Sequence, residues 1–401
     1  MAAVVETADV VVVGGGVNGA SIAYALAARG ARVALIEKGA LASGASGRSS
    51  ALIRMHYTNE WDARLAWASY PVFARWPDVM GGPPVFTRTG FLNVVGPEHV
   101  DALRKNVAVL RGIGIDTVAL SPPELQALQP FMHVDDVGAA AYEPESGYAS
   151  PADVVEGFRR RARELGARVL DWTSVTAIGA RDSRVTGVET SAGRIEAPVV
   201  VVAAGAWALR VCRQIGVELP ARTKAIDTVL VTRPPELAAP HMVVIDVVQG
   251  TYFRPESTIL TIVGVPNTDY DVDPDTLATG LPPYAAAEGA QFLTHRIPAM
   301  EGATLARGFR AFDLYSADRH AILGRVDGPD GLYLATAFSG SGFKIAPAVG
   351  TCMAELILDG AARTVDIRPF RLQRFAEGTP LVGPHPYTPH PDRAGRPGVV
   401  V

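Results

Sequence analysis

The stretch from Asp9 to Glu37 constrains the fold more than any other part of the chain. Val10–Val13 is a run of β-branched residues, the composition of a strand buried on both faces in a parallel sheet. It runs straight into Gly14, Gly16 and Gly19, spaced G-x-G-x-x-G. The first glycine permits a tight turn, the second lets backbone approach a pyrophosphate, and the third lets the next helix pack close on the strand. Val17 and Asn18 lie between them, where the N–H groups of a starting helix face an anion. Residues 20–29 are alanine-rich with Ile22, Ala23 and Leu26 at helical spacing, and Gly30 marks the stop. Residues 32–36 return as a second strand ending on Glu37, about 20 residues beyond the glycines, where a carboxylate can bind ribose hydroxyls. A glycine triad alone is weak evidence. Strand, triad, helix, strand and terminal acid together point to a dinucleotide site.

At 401 residues the chain is long enough for two domains of ordinary size. Its charge is nearly balanced, 37 Lys and Arg against 41 Asp and Glu, so neither nucleic acid nor a membrane surface is indicated as partner. Cys212 and Cys352 stand far apart and outside any C-x-x-C or His cluster, which argues against a disulfide framework or a zinc site and leaves two core thiols. No stretch approaches the ~18 uninterrupted apolar residues of a membrane span. A soluble, cytoplasmic protein with a small-molecule partner is expected, and a homo-oligomer is compatible with the sequence.

Residues 41–50, a loop of small residues, follow the nucleotide unit directly. Such a loop can offer N–H and hydroxyl groups to a diphosphate or an aromatic ring system, or serve as a plain connection. Residues 51–57 are apolar except for Arg54 and His56, and Trp61, Leu65, Trp67 and Ala68 mark a helix packed on the first domain. Residues 71–84, with four prolines and the pair Gly81 and Gly82, read as a crossing into another domain. Beyond it, 86–95 reads as strand and 103–113 as helix. Ser121 and Glu124 form a capping box, and 137–142 is extended. In the helix over 154–165, Arg159, Arg160, Arg161 and Arg163 read as a solvated face. Short runs at 167–170, 175–178, 185–190 and 193–195 predict one small antiparallel layer. Residues 198–204 form a second apolar β-branched run that stops at Gly205, Ala206 and Trp207, the pattern of a parallel strand returning to the nucleotide sheet. Segments around 228–231, 251–254 and 259–263 alternate as a second sheet, with Tyr252 and Arg254 on one face. Residues 331–337 read as a strand leading through a glycine-rich turn into a helix over about 346–358, a second helix N-terminus at a ligand edge. From 379 the chain is Pro, His and Gly with little periodicity, an arm or a disordered segment.

In this order these segments resemble the flavin-dependent amine oxidoreductases of the sarcosine oxidase, glycine oxidase and D-amino-acid oxidase type. The resemblance spans about residues 8–375. It rests on G-G-G-V-N-G with Glu37, on G-R-S-S-A-L-I-R, on V-V-V-A-A-G-A-W, on D-R-H-A-I-L-G and, most specifically, on F-S-G-S-G-F-K at 338–344. It implies an α/β chain: a Rossmann-like FAD-binding domain assembled from discontinuous segments (1–80, 146–222 and 316–378) and an α+β substrate domain with a mixed or antiparallel sheet (81–145 and 223–315), followed by a Pro-rich tail (379–401). It also implies FAD, held by Gly14, Gly16, Val17, Asn18, Gly19, Glu37, Lys38, Ser43, Arg48, Ser49, Ser50, Val175, Thr176, Ala204, Gly205, Trp207, Gly340, Ser341, Gly342, Phe343 and Lys344. Oxidation of a C–N bond sends a hydride to the flavin, whose N1–C2=O region must then hold negative charge. By resemblance the turn at Gly340 to Gly342 and its helix lie there, with Lys344 on the substrate side. Arg54 and Lys344 match the family's carboxylate-binding arginine and lysine, a cation pair that positions an amino acid for oxidation. Tyr252 reads as a pocket wall and hydrogen-bond donor or as sheet packing, and Arg254 as a second anion contact or a cross-strand ion pair. His56 and His320 are candidate bases, although oxidation by flavin needs a neutral amine more than a dedicated base.

The chain also departs from the family. Monomeric sarcosine oxidases tether FAD through a cysteine shortly before the D-x-H segment; residues 311–317 contain none, so noncovalent FAD is expected. Those oxidases carry a lysine for oxygen activation on the strand matching 259–263. None stands there, which leaves O2 and another electron acceptor both open. The family's tyrosine before D-x-H is replaced by Asp313 or has moved to Tyr315. The expected reaction is oxidation of a small carboxylated amine, a secondary or N-methyl amino acid, to an imine that water hydrolyses. The rivals are a 2-hydroxy-acid dehydrogenase on the same fold and the flavin subunit of a multi-subunit amine dehydrogenase.

Overall fold

The computed structural model describes residues 6–237 and 241–387. Its first sheet has six strands in the order Arg168–Leu170, Val33–Ile36, Val10–Val13, Val199–Val202, Leu332–Thr336 and Ile322–Arg325. All neighbours are parallel except the last pair. Both faces are covered, which is why the valine runs show no polar alternation. Val10 and Val12 point to a core shared with the helices Val17–Ala27, Glu60–Ala74, Pro151–Glu164 and Gly342–Asp359. Val11 and Val13 point to a second core under the antiparallel strands Val175–Arg181, Arg184–Thr190 and Gly193–Glu196.

Three details differ from expectation. Arg168–Leu170 does not join the antiparallel layer; it pairs in parallel with Val33–Ile36, Leu170 opposite Ile36. After the helix Pro151–Glu164 the chain turns at Gly166 (φ 91°) and lands beside Val33–Ile36, a helix-to-strand return that three residues of sequence are too short to announce. Arg159 is not on a solvated face: its guanidinium is buried and paired with Asp171, while Arg160 reaches the carbonyl groups of Met80 and Gly81. Residues 71–84, expected as a crossing between domains, are also partly helical. Pro71 lies inside the helix Glu60–Ala74 and a short helix, Trp76–Val79, follows, so the break falls at Gly81 and Gly82, both with positive φ.

The second sheet has eight strands in the order Thr304–Ser316, Ala221–Thr232, Leu260–Val265, Thr251–Glu256, Val243–Asp246, Phe91–Val95, Ala139–Glu143 and Val118–Leu120. One face carries Val229, Phe253, Val263 and Val265 against Phe292 and Leu293 of the helix Pro283–Arg296. Strand alternation turns Lys224, Ile226, Tyr252, Gly264 and Asp313 to the other face, toward the first sheet.

Candidate active site

The two glycine turns meet in one cavity. Gly14 has φ +108°, and a Cβ there would lie 2.5 Å from the Ala203 carbonyl oxygen. A Cβ on Gly19 would lie 1.9 Å from the Gly14 oxygen, so the third glycine seats the helix on the strand, as its spacing predicts. Ser46 Oγ accepts the Val17 N–H at 3.0 Å. Asn18 Nδ2 donates to the Gly342 oxygen at 3.2 Å, tying the start of the first helix to the start of Gly342–Asp359. Both helix N-termini therefore face the same space. Glu37 is fixed by the N–H groups of Gly15 and Gly39, each at 2.8 Å, with lone pairs left for hydroxyl donors.

The cavity between the sheets measures about 510 Å³. Of the expected cofactor residues it is lined by Gly14, Gly16, Val17, Asn18, Glu37, Lys38, Ser43, Arg48, Ser49, Ser50, Val175, Ala204, Gly205, Trp207, Gly340, Gly342, Phe343 and Lys344. Gly19, Thr176 and Ser341 do not line it: Gly19 packs the helix, Thr176 is exposed with its hydroxyl on the Glu189 carbonyl, and the Ser341 hydroxyl donates to Phe338 O at 2.7 Å. Thr173 and Ser174 line the cavity beside Val175 in place of Thr176, because the lining ends at the first residue of the strand Val175–Arg181. At the nucleotide end, Lys38 lies 3.8 Å over the Trp207 ring centroid, and Lys38, Trp207 and Arg210 all converge on Asp275 from the second sheet's side.

At the other end, Arg54 is 3% exposed, with its guanidinium carbon 4.3 Å from the Tyr57 ring centroid; Lys344 Nζ lies 5.8 Å from the same centroid. Burial and then the Arg54 charge push the Lys344 ammonium well below its ordinary pKa. Two buried cations beside one ring form a site that gains energy when an anion arrives. The Met55 N–H donates to Glu143 Oε2 at 2.9 Å, which holds the loop carrying Arg54 in place. Tyr252 hydroxyl and Ser50 Oγ are 2.7 Å apart in the cavity wall. Arg254 is absorbed elsewhere: its side chain donates to the carbonyls of Ser50 and Pro255 and pairs with Glu256.

Neither histidine is among the cavity-lining residues. His56 is fully buried, held near pKa 3 by desolvation and Arg54, and its Nε2 lies 2.9 Å from the Tyr387 hydroxyl. His320 Nδ1 pairs with buried Asp62 at 2.7 Å, and that charge outweighs burial and raises its pKa. The cavity also holds Lys224, a charge that sequence patterning did not single out, and Asp313, one of the two candidates for the family's tyrosine position. Lys224 and Asp313 are register partners across Ala221–Thr232 and Thr304–Ser316. Lys224 points between the rings of Tyr270 and Tyr315 (5.6 and 5.3 Å), and burial lowers its pKa to about 8. Lys224 thus brings a lysine to the cavity from the strand paired with Leu260–Val265, which carries none. Tyr315 lines the same wall, so both alternatives for the family's tyrosine position reach the cavity.

The tail also reaches this end. The Leu381 N–H donates to Asp318, Asn106 donates to the His385 carbonyl, and Tyr387 stacks on His56, all from a segment expected to be a loose arm. Residues 388–401 lie outside those described. Truncation after 387 keeps every one of these contacts and serves as the reference. Truncation after 380 removes three hydrogen bonds worth about 1 kcal/mol each and uncovers His56, so its melting temperature and flavin retention should both fall. Equal behaviour of the two truncations would refute this role.

A parallel sheet ending in two helix N-termini, a ribose-side acid and a roofed cavity with buried cations define a dinucleotide-dependent redox protein. The chain belongs to the FAD-dependent oxidoreductase family (DAO), matched over residues 9–356. It is 28% identical to FAD-dependent oxidoreductase domain-containing protein 1 of Xenopus laevis, over 94% of this chain and 84% of that protein. It is 27% identical to glycine oxidase of Geobacillus kaustophilus, over 91% of this chain and 97% of that protein. Among solved structures it is similar to L-proline dehydrogenase from P. horikoshii, with a TM-score of 0.86 and 27% identity over 94% of this chain and 99% of the other. Among the described residues, no helix is long and apolar enough to cross a membrane.

Proposed function

We propose that this chain oxidises the C–N bond of a small carboxylated amine, a secondary or N-methyl amino acid, to an imine that water hydrolyses. The observation that carries this reading is the pair of buried cations, Arg54 and Lys344, beside one tyrosine ring in a cavity roofed by the second sheet. A carboxylate is the ligand such a pair fits, through charge-assisted hydrogen bonds in a site of low dielectric. Relatives named for glycine and for L-proline, both carboxylated amines, support the amine over a hydroxyl as the oxidised group.

The glycine turn at 14–19, the Glu37 carboxylate and the loop at 43–50 fit a flavin dinucleotide, and the N-terminus of Gly342–Asp359 offers amides where negative charge develops on reduction. FAD, when bound, supplies the hydride acceptor. Arg54 and Lys344 hold the substrate carboxylate, Tyr252 and Ser50 form the wall beside it, and the second sheet keeps bulk water out. The FAD is held noncovalently in this reading: Cys212 and Cys352 are both buried in the cores, away from the cavity. Reduced flavin passes its electrons to O2 or to another acceptor.

The test is anaerobic bleaching of the yellow protein with sarcosine, other N-methyl amino acids, cyclic amino acids, D-amino acids and 2-hydroxy acids. Rapid bleaching by an amine supports the reading, and bleaching by hydroxy acids alone overturns it. Admitting oxygen afterwards distinguishes an oxidase from a dehydrogenase.

A further inference from the structure

We propose that Asp313 receives the substrate's ammonium group and takes its proton before the C–N bond is oxidised, a role that rests on the amine reading above. An amino acid at neutral pH is a zwitterion. Arg54 and Lys344 match its carboxylate, but those charges, with Lys224, repel the ammonium. The cavity must therefore supply an anion as well.

Four acids line it among the described residues: Glu37, Asp227, Asp275 and Asp313. Three are already engaged. Glu37 is held at the nucleotide end by Gly15 and Gly39. Asp227, fully buried, accepts from Asn267, Tyr284 and Arg310 at 2.7–2.9 Å. Asp275 is taken by Lys38, Trp207 and Arg210. Asp313 is bound differently. Its Oδ2 accepts the Gly340 N–H and its Oδ1 the Leu314 N–H, each at 2.8 Å, so two backbone amides fix the carboxylate while each oxygen keeps a lone pair. Gly340 belongs to the turn that leads into Lys344, so the anion stands at the substrate end of the cavity. The titratable and charged groups around it are Tyr315 on its own strand, Lys224 on the strand beside it, Tyr252 and Arg48 in the wall, and Lys344 from the helix.

Desolvation raises the Asp313 carboxyl to about 6, partly offset by the two amides and Lys344. It is thus ionised at neutral pH, though well below the ammonium of a free amino acid, whose own carboxylate holds it above the range of a peptide's α-amino group. The three cations lower the ammonium's pKa in the cavity and narrow that gap. In the step, an ammonium N–H bond breaks and an Asp313 O–H bond forms, and the electron pair of the broken bond stays on nitrogen. That pair then becomes the second bond of C=N as carbon gives up a hydride, which FAD would accept when bound. Asp313 returns its proton to solvent. A 2-hydroxy acid brings no cation to this carboxylate, so Asp313 also selects against the rival substrate class.

The test compares wild type with Asp313→Asn and Asp313→Glu, each as the FAD-loaded protein. For flavin reduction, the wild-type kcat/KM should rise through an acid limb near pH 6. In Asp313→Asn that limb should vanish, the rate at pH 7 should fall ~100-fold, and the deficit should shrink toward pH 10 as free amine appears in solution. A binding readout is independent of turnover: perturbation of the flavin spectrum by trimethylglycine, whose nitrogen is a fixed cation, against 3,3-dimethylbutanoate, the carbon isostere that keeps the carboxylate and lacks that charge. Wild type should prefer the cation, and Asp313→Asn should reverse that preference by ~10-fold or more. Should Asp313→Asn fail to hold flavin, Asp313→Glu decides, since a displaced acid limb supports the role and an unchanged one sinks it. Wild type bleached by an amine, with the variants unchanged in profile and preference, overturns the Asp313 assignment alone. Wild type bleached only by hydroxy acids overturns both readings.

Discussion

Replacing Lys344 by methionine is expected to weaken substrate capture about 100-fold, the value of a charge-assisted hydrogen bond in a dry site, while making the substrate-free protein more stable. The two effects have one cause. Burial and Arg54 both disfavour the ammonium, so the fold holds it at a cost that only an arriving carboxylate offsets. Because its pKa is depressed in the fold, the unfolded chain binds more protons than the native one. Wild-type stability therefore rises with pH from the depressed native value up to the unfolded value of 10.5, whereas Lys344→Met lacks this rise. Substrate affinity moves the other way, because a carboxylate binds best to the protonated amine and is lost as pH climbs. Urea titrations at pH 7 and pH 10, with sarcosine-induced changes in the flavin spectrum, read both slopes. A Lys344→Met protein that is less stable at pH 7 and binds substrate normally would show that this lysine is structural.

The sequence readily discloses the nucleotide arm because every requirement there is local. Gly19 and Glu37 act through neighbours within one βαβ unit, and Gly14 is called for by the turn of that unit although it also abuts Ala203 beyond the neighbouring strand. The substrate end is different, since its groups come from strands far apart in sequence. Lys224 and Asp313 become a pair only because Ala221–Thr232 and Thr304–Ser316 run antiparallel over their whole length. No local periodicity sets that register. The same limit explains Arg254, which shares a strand face with Tyr252 but is consumed by Ser50 and Glu256, and the 381–387 segment, whose partners Asn106, His56 and Asp318 lie hundreds of residues upstream or in another element. His56 and His320 looked like candidate bases in one dimension. In three, each faces a fixed partner, Tyr387 or Asp62, instead of the cavity.

Gly19→Ala is expected to cost about 3 kcal/mol or more, enough that little folded, flavin-bearing protein is recovered. On helix propensity alone alanine would gain about 1 kcal/mol at this interior position, so sterics decide the sign. The new methyl would sit 1.9 Å from the Gly14 oxygen and 3.3 Å from the Ala203 side chain. The first of these is backbone in the turn beneath the helix, so it cannot swing away. The helix Val17–Ala27 would have to lift off the strand Val10–Val13, breaking the core around Val10, Val12 and Ile22 and pulling the N-terminal amides from the cavity. Gly16→Ala is the control that separates packing from cofactor binding. Its methyl meets only the Ser46 hydroxyl, at 3.0 Å, a side chain that can rotate. Gly16→Ala should therefore fold with a melting temperature close to wild type but retain much less flavin, because the added carbon occupies the approach to the pyrophosphate. Soluble yield, thermal denaturation and the ratio of flavin to protein absorbance measure all three species. Recovery of Gly19→Ala as a yellow protein of wild-type stability would mean that the helix and strand are not packed as closely as this geometry requires.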